Sequence, residues 1–192
     1  MTSAPFIQVG TERLDEASGF PFPLRTSVHK AVAAVAKGEW HPPRHVFLVN
    51  LELEALRVPY RVYYDPMLFQ RELATSVGDR RAILACLGTR HYDGHLRQDC
   101  LAELWSVRAA WVIPYVIQLA SEYVVEIARD VADGIPKLDV PELAAFIRAN
   151  PAYLATLQRR VISYWSCYHR CAYPDRGAYP GTEVVTYLQK SF

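Results

Sequence analysis

The chain has 192 residues, enough for one substantial core; half are apolar, and 21 basic against 20 acidic residues leave a net charge of +1. That balance excludes a disordered chain and disfavours a protein held to phosphate backbones. The 17 Arg outnumber the 4 Lys, and 12 Tyr with 4 Trp give it side chains enriched at binding surfaces.

The opening residues 1–20 read as a loosely held arm, with Pro5, Gly10 and Gly19 and no periodicity. They carry no basic leader followed by an apolar core, so a cytoplasmic, soluble protein is the expectation. Four cysteines, Cys86, Cys100, Cys167 and Cys171, make no dense disulfide framework. The longest apolar run, Ala109–Ile117, is too short to cross a bilayer.

From Pro21, Phe22 and Pro23 the chain enters Leu24–Lys37, a helix closed by Gly38. Arg44–Arg57 fits neither period cleanly; Leu, Glu and Ala in its second half favour a helix stopped by Pro59. Tyr60–Tyr64 is the most strand-like stretch, but it has no evident partner and reads as an extended connector. Asp65 and Pro66 then suit the cap and first position of a new helix.

Firmer periodicity begins at Asp79. Asp79–Thr89 and His95–Trp105 form one helix pair about the turn Asp93-Gly94. Ala109–Ala120 and Tyr123–Asp133 form a second, opened by Ser121 or Glu122. Leu96 and Ile127 hold equivalent places, 31 residues apart. Helix pairs recurring at roughly 30–47 residues are the signature of an α-solenoid. A third pair spans 139–170, with Pro141–Ala149 followed by Ala152–Arg170, where Asn150 is the expected cap. Loops at Tyr173-Pro174-Asp175 and Tyr179-Pro180-Gly181 lead to a closing helix, Thr182–Lys190.

The stretch ILACLGTRHYDGHLRQDCLAEL resembles a HEAT repeat: an apolar first helix, a turn with Asp93, the step Leu96-Arg97, and small Cys100 four residues beyond Leu96. The second unit departs from the pattern, with Ala128 after Ile127 where the family places Arg. Together with YWSCYHR and AYPG, these runs resemble bacterial HEAT-like proteins of unassigned function. The resemblance implies an all-α fold, a short HEAT-like α-solenoid of antiparallel helix pairs over residues 21–192 with an N-terminal helical extension. Its clearest repeats cover 79–134.

The resemblance also implies a non-enzymatic module that binds another protein as scaffold, adaptor or immunity-type binder, without a cofactor and without a membrane. The candidate partner-binding residues are Asp99, Glu103, Arg129 and Arg159 on second helices, and the aromatic C-terminal group Trp165, Tyr168, His169 and Arg170. The bland reading of that group is a cap on the solenoid's last apolar face. A DNA-glycosylase type of HEAT protein is the first alternative. The second is a metal-dependent enzyme at His91, Asp93 and His95, whose imidazole–carboxylate–imidazole set suits a transition metal unless it is simply the inter-helix turn.

Overall fold

The computed structural model describes residues 15–36, 43 and 45–190. The protein is mostly helical with one small two-stranded hairpin. It divides into two compact units, Met1–Val107 and Arg108–Phe192, where the sequence suggested a single helical domain from residue 21. Among the described residues no helix is long and apolar enough to cross a membrane.

In the first unit, a 3-10 turn at Glu16–Gly19 is capped by Asp15, which accepts from the Ala17 amide at 2.9 Å. Ala17 and Phe20 are wholly buried, and the Tyr64 hydroxyl donates to Glu16 Oε1 at 2.9 Å. The expected loose arm is therefore corrected for residues 15–20, because apolar burial and a buried hydrogen bond fix them; residues 1–14 lie outside the described set, as does Gly38. Helix α1, Arg25–Val35, buries Val28, Ala31 and Val35 at helical spacing.

The expected helix over Arg44–Arg57 is a hairpin instead. Strands β1, Val46–Leu51, and β2, Glu54–Pro59, pair antiparallel from Val46↔Pro59 to Leu51↔Glu54. Val49 and Leu51 point inward with Leu56 and Val58, while Leu48, Asn50, Ala55 and Arg57 face out, a period of two. The two-residue turn is Glu52-Leu53, which lacks the Asn-Gly or Asp-Gly signal of such turns and holds Glu52 at φ +52°. Helix propensity in the second half misled the sequence reading, and cross-strand burial overrode it.

The connector Tyr60–Tyr64 does have a partner. Val62 bridges His91 in parallel, its amide donating to Arg90 O at 2.9 Å while its carbonyl accepts from Tyr92 N at 3.1 Å. Helix α2, Pro66–Thr75, begins as expected, with Asp65 accepting from Leu68 N at 2.7 Å and Pro66 in the first turn. Helices α3, Gly78–Gly88, and α4, Gly94–Leu104, pack closely on each other. A β-carbon on Gly88 would collide with Cys100 Sγ and come within 3.0 Å of Phe69 Cε1, so glycine sets the distance between the two helices.

In the second unit, α5, Ile113–Gln118, is short and flanked by 3-10 turns at Ala110–Val112 and Leu119–Ser121; everything from Val112 to Glu122 is buried. The amphipathic α6, Val125–Gly134, follows, preceded by Val124 rather than opened by Ser121 or Glu122. Asp139 caps α7, Val140–Ala149, through the Glu142 amide at 3.2 Å. Asn150 stands at the N-cap of α8, Pro151–Tyr164, as expected, its carbonyl accepting the Leu154 amide at 3.1 Å, but its side chain makes no bond to the α8 amides: its Nδ2 donates back to Phe146 O at 2.8 Å and closes α7. The long segment expected to Arg170 leaves α-geometry at Trp165, where a π-helical turn runs to His169. Helix α9, Pro180–Lys190, packs most extensively on α6 and also on α8. Its Gly181 sits so near Ala120 that a β-carbon would lie 2.7 Å from that carbonyl oxygen.

Two stability measurements check these contacts. Gly88→Ala lowers unfolding stability by about 1–3 kcal/mol, the usual cost of overpacking, and Cys100→Ala in the same chain recovers part of the loss. Glu52→Gly raises stability by roughly 0.5–1 kcal/mol, because glycine adopts positive φ without the steric cost. Denaturant titration reads both; a stable Gly88→Ala protein would contradict the close helix approach.

Candidate functional site

The turn between α3 and α4 holds the first set of singled-out residues. His91 is fully buried, donates from Nε2 to Tyr64 O at 2.9 Å, and accepts the Asp93 amide on Nδ1 at 3.1 Å. Both ring nitrogens are thus engaged, one by the connector and one within the turn, and a metal would have to displace one of those bonds. Asp93 caps α4 through Leu96 N at 3.1 Å, and that amide bond holds its carboxyl below the usual carboxylate range. His95 is exposed. Among the described residues no group of three or more His, Cys, Asp or Glu side chains stands where it could hold a metal ion. The geometry of His91, Asp93 and His95 is that of an inter-helix turn.

Arg97, also fully buried, donates from Nη1 to His91 O and Tyr92 O, both at 2.9 Å. It satisfies carbonyls the turn would otherwise leave orphaned. Leu96 and Ile127 are each the third residue of their helices and are buried, as is Cys100, whose thiol burial pushes well up.

The second-helix candidates separate by what they already bind. Glu103 takes a two-pronged bond from Arg81, 2.8 Å at each oxygen, and this holds its carboxyl below the usual range. Arg129 clamps Glu183 at 2.6 and 3.1 Å, tying α6 to α9. Both are internal ties, and solvent screening at such half-exposed positions keeps each of them modest. Asp99 is exposed, and Arg159 is exposed with its Nη2 on Thr156 Oγ1 at 2.8 Å.

The aromatic C-terminal group surrounds the π-helical turn and divides into two roles. Trp165 Nε1 donates to Tyr173 O, and His169 Nε2 to Tyr123 O, both at 2.8 Å. The His169 ring stacks on Tyr179 at 5.3 Å, and Tyr173 meets the same ring edge-on at 5.7 Å. Tyr179 is wholly buried, which pushes its phenol up to about 12. Trp165, His169, Tyr173 and Tyr179 therefore seal the end of the unit. Tyr168 stands 68% exposed, 6.0 Å from the Tyr164 ring, with Arg170 exposed beyond it. Tyr123, which sequence reasoning did not single out, is 53% exposed, and its carbonyl is the one that anchors His169. Only its residue type could have flagged it.

Burial lowers the His91 pKa below its ordinary value of 6.5, against a weaker raising effect of the Tyr64 bond. The unfolded chain then takes up a proton that the folded one resists, so stability is full above about pH 6.5 and falls as pH drops through that value. A loss of stability between pH 7.5 and 5.5 is expected from this group. It should vanish in His91→Gln, and chemical denaturation across that range checks it.

No family model, no curated protein and no solved structure matches the chain.

Proposed function

We propose that the protein is a non-enzymatic interaction module that binds another protein through the outward aromatic and cationic surface of its π-helical turn. The observation that carries this reading is the division of labour at Trp165–Arg170. Trp165 and His169 are spent on backbone carbonyls, and that fixes the turn which presents Tyr168 and Arg170. Tyr and Arg dominate binding energy where a rigid base presents them, because little side-chain entropy remains to be lost. A π-helical turn is itself rare and occurs frequently at functional sites.

The finer architecture we infer is a HEAT-like series of helix pairs. What supports it is the α3–α4 pair with its Asp93 turn and buried Arg97, and the matching third positions of Leu96 and Ile127. A scaffold, adaptor or immunity-type role fits such a module. Neither nucleic-acid repair nor metal chemistry gains an observation of its own.

Affinity purification from the native host, repeated with Tyr168→Ala/Arg170→Ala, tests the reading. A partner enriched by the unaltered chain should be lost by tenfold or more in the double variant, with melting temperature unchanged. Equal recovery by both proteins would overturn it.

A further inference from the structure

Away from the π-helical turn, α7, α8 and α9 enclose a groove of about 320 Å³ lined by Ile147, Leu154, Leu157, Val185 and Leu188. This is the low end of the roughly 300–1,000 Å³ range of small-molecule sites. Arg148 stands at the groove as the charged residue of its lining, and Gln158 and Gln189 supply the amides. Arg148 is exposed, and among the described residues no acidic side chain pairs with it. Gln189 Nε2 donates to Gln158 Oε1 at 3.4 Å, which leaves the Gln158 amide N–H groups to serve as donors. An aliphatic trough with one guanidinium and amide donors, and no carboxylate in its lining, complements a molecule with an apolar tail and an anionic head.

We infer that this groove binds a single free acyl-chain carboxylate, its chain against Leu154, Leu157, Val185 and Leu188 and its head on Arg148. A guanidinium pairs with a carboxylate through two parallel bonds. Each methylene taken out of water strengthens binding by about fourfold until the trough is full. The inference is independent of the proposed protein partner, since the groove and the π-helical turn use different residues.

Titration of the full chain with hexanoate, octanoate and decanoate, followed by NMR shifts or calorimetry, tests it. Affinity should climb about fourfold per methylene. Arg148→Gln should weaken octanoate by tenfold or more while leaving octanol unchanged, and Leu154→Trp should weaken both by filling the trough. Circular dichroism and melting curves establish that each variant is folded. Absence of carboxylate binding, or binding that ignores chain length and Arg148→Gln alike, would overturn the inference. So would displacement of octanoate only by an amphipathic helical peptide that binds far more tightly, which would make the groove a protein-docking surface.

Discussion

The first unit is organised around one demand: Arg90 and His91 are buried, and the polar backbone groups of the turn they open need partners. Arg90 O takes the Val62 amide, His91 O and Tyr92 O take Arg97, and the Tyr92 amide reaches Val62 O. His91 adds a ring bond to Tyr64 O, and Asp93 turns the chain into α4. A connector, a turn and a helix are thereby tied at one place. Burying a guanidinium is costly unless its bonds are made, and here those bonds are what permit the turn to be inside at all.

The second unit solves a comparable problem by another route. Its short α5 and the two 3-10 turns beside it are buried throughout, and α6, α8 and α9 gather on them. Where α8 leaves α-geometry, the Trp165 side chain reaches the Tyr173 carbonyl eight residues on, and His169 reaches the Tyr123 carbonyl ahead of α6. The same bonds that close the unit hold Tyr168 and Arg170 outward.

Much of this was legible in the sequence, and the exceptions have physical causes. Asp65-Pro66, Asp93-Gly94 and Asp139 announced their helix starts because a capping carboxylate acts locally, within three residues. The hairpin was not legible, because its turn, Glu52-Leu53, uses residues that ordinarily avoid such turns, and its partner strand carries good helix formers. The parallel bridge between Val62 and His91 joins residues far apart in sequence, which no local pattern encodes. At the candidate site, residue type found Trp165, Tyr168 and His169 but could not sort the side chains bonded to backbone carbonyls from the one left outward. Glu103 and Arg129 were read as free faces, and each proved to hold two helices together. The groove of α7, α8 and α9 was invisible for the same reason, since it exists only once three separated helices meet.

The position of α9 has a consequence for biogenesis. Val184, Val185 and Leu188 complete the core of the second unit, and Gly181 lies against Ala120, so the apolar side of α6, met early by the Leu119–Ser121 turn, gains its most extensive cover only when α9 has been made. The second unit therefore stays sticky until its last helix is made, and a ribosome stalling between Ile135 and Tyr179 would release a species inviting chaperones and proteases.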